Sequence, residues 1–122
     1  IVTTPQDVAL IDARKGLRMF QEVDVPVLGL VENMAVYRCP ECGHEEHIFR
    51  KDGGRRTAEA LDVPFLGSLP LDPSIAEAGD AGTPYVVANP DSDAAAAFRR
   101  IAERVLEIAR KTRDEAPVET VS

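Results

Sequence analysis

The stretch Val27-Leu28-Gly29-Leu30-Val31 is apolar throughout, with no alternation of polar and apolar positions. A strand with one wetted face alternates; an unbroken apolar run suits a parallel strand covered on both faces. A helical pattern precedes it. Thr4-Pro5-Gln6-Asp7 reads as a helix start, with Thr4 as cap, Pro5 at the first helical position and Asp7 completing a capping-box-like pair. Leu10, Ala13, Leu17 and Phe20 then share one face, which carries the helix to about Phe20. With an apparent strand Ile1-Val2-Thr3 ahead of it, this is a strand–helix–strand unit, expected to be right-handed. Domains rarely open on a core strand, so the chain is expected to be a piece of something longer.

Downstream, Gly53-Gly54 leads into a helix around Arg55 to Leu61, and Val63-Pro64-Phe65-Leu66-Gly67 reads as a second short buried strand. Asp72 caps a further helix that has Pro73 at its first position and ends near Gly79 or Gly82. Tyr85 to Ala88 is expected to be extended. Asp91 or Ser92 starts the last helix, with Phe98, Ile101, Val105, Ile108 and Ala109 as its apolar stripe. Arg113 to Ser122 has no periodicity and is expected to be a frayed tail. Residues 1–112 thus form one domain portion and 113–122 a flexible end.

Composition removes several functions. Acidic residues outnumber basic ones 21 to 14, for a net charge of −7, whereas a nucleic-acid binder needs a basic face. The longest apolar run, Val25 to Val31, falls far short of the roughly 18 residues of a membrane span. Neither nucleic acid nor membrane is therefore an expected partner. With only 2 cysteines, placed close together, a disulfide scaffold is a poor fit, and a reducing, cytoplasmic setting is expected.

Those cysteines stand in Cys39-Pro40-Glu41-Cys42-Gly43, inside a polar segment (35–50) read as a hairpin excursion from the sheet, with Pro40 to Gly43 at its tip. Two thiolates hold one edge of a metal centre and cannot complete it, because structural zinc takes four ligands and cubane clusters usually four cysteines. Four readings stand side by side. A zinc knuckle suits the turn, with Gly43 supplying a positive φ. Closing zinc within one chain would need His44 and His47, which follow Cys42 too closely for a two-Cys, two-His finger. A dithiol redox pair would want the first cysteine at a helix N-terminus, and Gly-His-Glu-Glu-His is a poor helix start. A site shared by two copies, each giving Cys39 and Cys42, satisfies the ligand count by symmetry.

The blocks around this turn carry a resemblance. Thr3-Thr4-Pro5-Gln6-Asp7-Val8-Ala9-Leu10, Gly29-Leu30-Val31-Glu32-Asn33-Met34, the cysteine turn, Val63 to Gly67, Pro70-Leu71-Asp72-Pro73 and Ala78 to Pro84 occur in order, over about residues 1–110. Together the succession resembles the Mrp/ApbC-type iron–sulfur cluster carrier ATPases, relatives of MinD in the P-loop class. The resemblance implies an α/β fold, the C-terminal part of a doubly wound, mostly parallel P-loop sheet with helices on both faces and an inserted cysteine hairpin. It further implies a cytoplasmic homodimer that bridges a [4Fe-4S] cluster between paired Cys39 and Cys42 turns, receives it from cluster donors and passes it to apo-proteins. Zinc remains the alternative metal, in a purely structural knuckle.

One departure matters. The family's phosphate loop, G-K-G-G-x-G-K-S/T, is absent, and Gly53-Gly54-Arg55-Arg56 lacks the Lys-Ser/Thr that reaches phosphate and Mg²⁺. ATP and Mg²⁺ are thus expected only with a missing N-terminal half, and this chain alone is expected not to hydrolyse ATP. Ligands of open parallel sheets sit beyond the carboxyl ends of the strands, where Asn33 falls. Its amide can pair with the adenine edge, or simply satisfy turn amides. The resemblance makes Asn33 the base-recognition residue and lays Pro70, Leu71 and Asp72 along the adenine, although helix capping also explains Asp72. Glu41, Glu45 and Glu46 read as a solvated face, and Met19 and Met34 as core residues.

Overall fold

The structure, a computed structural model, describes residues 1–115. Three parallel strands, β1 (Val2–Thr3), β2 (Leu30–Glu32) and β5 (Phe65–Ser68), form a sheet in the order β1-β2-β5. Val2 pairs with Val31 and Thr3 with Glu32; on the other side Leu30 pairs with Phe65 and Glu32 with Ser68. All of β2 is buried, as its apolar run requires. The paired segment lies later than the run itself, because the ladder begins where Leu30 N–H donates to Pro64 O and carries on into Glu32.

Successive side chains of a strand point to opposite faces. Val31 joins Leu66, Leu69 and Ala97 in a core completed by Phe98, Ile101, Val105 and Ile108 of α5 (Asp93–Glu115). The neighbouring Glu32 faces α2 (Gly53–Ala60) instead, so the strand is covered on both sides. The helix α1 (Asp7–Glu22) buries Leu10, Ala13 and Leu17, the predicted stripe, with Phe20 half-buried at its end. Asp72 caps α3 (Pro73–Asp80), accepting from Ser74 N–H at 2.9 Å, and Ser92 caps α5 through Ala95 N–H at 3.1 Å. Between β2 and α2, β3 (Tyr37–Arg38) and β4 (Glu45–Glu46) form the expected antiparallel hairpin.

Four expectations are corrected. Thr4 does not cap α1: its hydroxyl donates to Gln6 Oε1 at 3.1 Å, Gln6 takes the cap position without a side-chain bond, and Pro5 is buried ahead of the helix. Tyr85–Ala88 is a helical turn, α4, because Pro84 presets the backbone and Tyr85 is drawn in among Ala78, Ala94 and Ala95. Burial outweighs the strand preference of its two valines. Met19 and Met34 are 54% and 37% exposed, one on the outer side of α1 and the other in a left-handed turn at φ 56°. The last helix runs on to Glu115, so Arg113 to Glu115 are helical; the rest of the predicted tail lies outside the described residues. No helix among the described residues is long and apolar enough to cross a membrane.

Candidate functional site

The chain leaves β2 at its carboxyl end and climbs directly into the hairpin, so both predicted sites arise from one strand end. Ala35 N–H donates to Leu69 O at 2.9 Å and Leu71 N–H to Val36 O at 2.8 Å. These bonds continue the parallel pairing past the sheet proper and end at a bridge between Tyr37 and Leu71. The hairpin root is therefore stitched to the loop that follows β5. His47 adds a second stitch, with Nδ1 3.1 Å from Ala35 O.

At the tip, Gly43 N–H donates to Cys39 O and Cys39 N–H to His44 O, both at 2.9 Å. This tight turn needs Gly43 at φ 72°, where a side chain would be strained. Cys39 is partly exposed and Cys42 exposed. Hydrogen bonding from the Cys42 and Glu41 backbone, with the Cys42 side chain, holds the Cys39 thiol below its ordinary range. Donors aimed at a sulfur favour the thiolate, which is the form that binds soft metals. Among the described residues no third His, Cys, Asp or Glu gathers with the pair. His47 is turned back to the hairpin root, which removes it from any single-chain zinc site built on the tip.

Arg38, beside Cys39, links the tip to the body. Its Nε lies 3.6 Å from Glu45 Oε1 and its Nη1 3.3 Å from Asp93 Oδ2 at the start of α5. These exposed pairs orient the hairpin without contributing much stability. Under Arg38 opens a cleft of about 320 Å³ whose lining includes Pro70, Leu71, Asp72, Glu45 and Tyr85. Three of the four residues expected at a nucleotide base thus meet in one cleft. Asn33 does not line it: it sits half-buried at the end of β2, its Oδ1 accepting from Met34 N–H at 2.9 Å and its own N–H donating to Thr3 O at 2.7 Å. The amide oxygen is thus engaged in the turn, as the plainer reading of Asn33 requires, while the two Nδ2 protons have no partner among the described residues.

Glu32, Arg38 and Tyr85 are site residues that the sequence reading passed over. Glu32 is 3% exposed, and its carboxylate accepts from Gly54 N–H at 2.5 Å and from Ser68 Oγ at 3.4 Å. The signal was present, since a carboxylate that directly follows an unbroken apolar run and is buried with it must find buried donors; the donor could not be named without the fold. It also explains the glycine pair. A Cβ at Gly54 would stand 2.8 Å from Glu32 Cβ, and the amide at the start of α2 is already occupied by a side chain of the same molecule.

Residues 1–106 match the family described as ParA, the NUBPL iron-transfer P-loop NTPases. Mouse iron-sulfur cluster transfer protein NUBPL is 55% identical over 106 residues, covering 87% of this chain and 33% of its own length. The iron-sulfur cluster carrier protein of Escherichia coli K12 is 51% identical over 105 residues, covering 86% of this chain and 28% of its own. The chain therefore spans about a third of the length of the curated relatives it matches. The crystal structure of the Pyrococcus furiosus cell division ATPase MinD superposes with a TM-score of 0.68 at 26% identity, covering 87% of this chain and 40% of that one. The fold agrees with this kinship, and the chain belongs to the iron–sulfur carrier branch of the ParA/MinD P-loop NTPase family.

Proposed function

We propose that this chain is the cluster-holding portion of an iron–sulfur carrier, in which Cys39 and Cys42 from each of two copies bind one [4Fe-4S] cluster where the hairpins meet. The loaded pair receives the cluster from a donor and delivers it to apo-proteins, in a reducing, cytoplasmic setting. The observation that carries this reading is the incomplete site: two accessible thiols at a hairpin tip, and no further ligand gathered with them among the described residues. A cubane needs two more thiolates, and a two-fold axis brings them from an identical turn. The amides around Cys39 lower the cost of releasing its proton when metal binds. Arg38 holds the tip in one orientation, and the Tyr37–Leu71 bridge ties it to the loop after β5.

In this reading residues 1–112 work as part of a P-loop NTPase domain, with 35–50 as a projecting insertion. The whole protein binds and hydrolyses ATP, with Mg²⁺ and the phosphates held by segments outside these residues. Asn33, Pro70, Leu71 and Asp72 serve the base end of the nucleotide, at the carboxyl ends of β2 and β5 where open sheets receive ligands. The hairpin root and the base loop share hydrogen bonds, so what binds at one bears on the other.

Anaerobic reconstitution with iron and sulfide tests the assignment. The expected product is a dimer with about four irons and a broad absorbance near ~400 nm from thiolate-to-iron charge transfer. A colourless protein that retains tightly held zinc would instead mark the hairpin as a structural knuckle and overturn the carrier reading.

A further inference from the structure

A groove of about 530 Å³ between α1 and the start of α2 does not include the cysteine tip, and nothing in the preceding function uses it. Buried Leu10 and Thr57 form its floor, and exposed Ile11, Arg14, Arg50 and Arg56 stand at its rim. Arg50 is steered by Asp7, whose Oδ1 lies 2.9 Å from its Nη1. Arg56 donates to Lys51 O, a neutral partner that leaves its charge unbalanced. Arg14 enters no ion pair among the described residues.

The charge here runs against that of the chain. Arg14, Arg50 and Arg56 line the groove against the single acid Asp7, in a chain of net charge −7. Exposed Val8 and Ile11, 75% and 53% accessible, add apolar surface on the same helix.

We propose that this groove docks an acidic segment of a partner protein, a short peptide that lays apolar side chains over Leu10 and Ile11 and sets carboxylates against Arg14, Arg50 and Arg56. Guanidinium forks beside apolar Leu10 and Ile11 are what such a peptide needs. An acidic molecule that repels acidic partners elsewhere and attracts them at one place also fixes their orientation. A bare anion gains only the rim, and no charged group is buried in the groove to capture it. Nucleic acid fits less well, because no aromatic side chain lines the groove for base stacking and the surrounding charge repels a phosphate chain.

The test uses the intact protein without metal, so that its outcome is separate from that of cluster binding. Fluorescence anisotropy follows a short labelled peptide of alternating Glu and Leu, beside the same peptide with Gln for Glu. The carboxylate peptide is expected to bind at least about tenfold tighter, and to weaken as salt rises. Arg14→Glu combined with Arg56→Glu should abolish the difference, while Lys at both positions keeps most of it. An unchanged melting temperature shows that the reversed variant is folded. Equal binding of the two peptides, binding of neither, or full binding by the folded charge-reversed variant overturns the proposal. So does displacement by inorganic phosphate or an oligonucleotide at the concentration at which the free peptide competes, which would mark a general anion surface.

Discussion

Glu32 and Glu45 are carboxylates thirteen positions apart that leave the same strand end, yet one is 3% exposed and the other carries a side chain 59% exposed. Glu32 is satisfied inside the molecule by Gly54 and Ser68, and its work is to seat α2 on the sheet. Glu45 belongs to a hairpin of two-residue strands whose own side chains are mostly exposed. In the sheet, polar groups are consumed by packing; in the hairpin they are held ready. The cysteines fall in the second region, where hydrogen bonding from the Cys42 and Glu41 backbone holds the Cys39 thiol below its ordinary range. In the proposed function that thiolate is the metal ligand, which would make the hairpin a binding element and not merely a solvated loop.

The largest expected effect breaks that contrast cleanly. Cys39→Ser or Cys42→Ser should lose the metal and weaken the dimer together, while the melting of the metal-free protein moves by less than about 0.5 kcal/mol, as at other exposed positions. Metal content and sedimentation read the first half, and thermal melting the second. Serine variants that stay dimeric with full metal would show that the thiols are not shared ligands. A large loss of stability would mean that the hairpin is part of the core after all.

Two glycines sharpen the comparison at a smaller scale. Gly54→Ala forces a Cβ to within 2.8 Å of Glu32 Cβ and Oε2, atoms fixed on a buried strand. Overpacking of this kind costs about 2 kcal/mol. Gly43 meets nothing within 4 Å, and its substitution suffers only from φ 72°, for about 1 kcal/mol. Urea denaturation of the two variants should rank them in that order. A harmless Gly54→Ala would show that the seat between α2 and β2 is loose.

The same division explains what the sequence made legible. The helix faces, the cap at Asp72, the parallel strands and the hairpin tip all followed from patterns within about ten residues of one another, which is the range over which periodicity and turn chemistry act. What stayed hidden depended on distant partners: Glu32 with Gly54, Arg38 with Asp93, and Tyr85 with Ala94 and Ala95. Tyr85 to Ala88 misled for the same reason, its helical turn being stabilised by a cluster that the local sequence does not contain. Met19 and Met34 were assigned to the core by residue type alone, which says less than position on a helix or in a turn. Spacing alone marks Cys39 and Cys42 as ligand candidates, whereas the link from hairpin root to the loop after β5 is visible only in the pairing of Tyr37 with Leu71.

Asn33 stands between the two regions, and the smallest of these effects decides which one claims it. Its Oδ1 serves the turn at Met34, a structural duty, and its Nδ2 protons have no partner among the described residues. Asn33→Asp separates the two, because a carboxylate keeps the acceptor for Met34 N–H and removes both donors. Adenine offers an amino donor beside a ring acceptor, so loss of the amide donor should weaken ADP binding by the intact protein about tenfold. Guanine presents two donors side by side, which suit a carboxylate, so the variant should move its preference from ADP toward GDP. Melting temperature should hardly change, since the turn bond survives. Calorimetric titration with both nucleotides measures the shift. An Asn33→Asp protein that binds ADP as tightly as before, with no gain for GDP, would assign Asn33 to the turn alone and leave base recognition to the cleft around Pro70, Leu71 and Asp72.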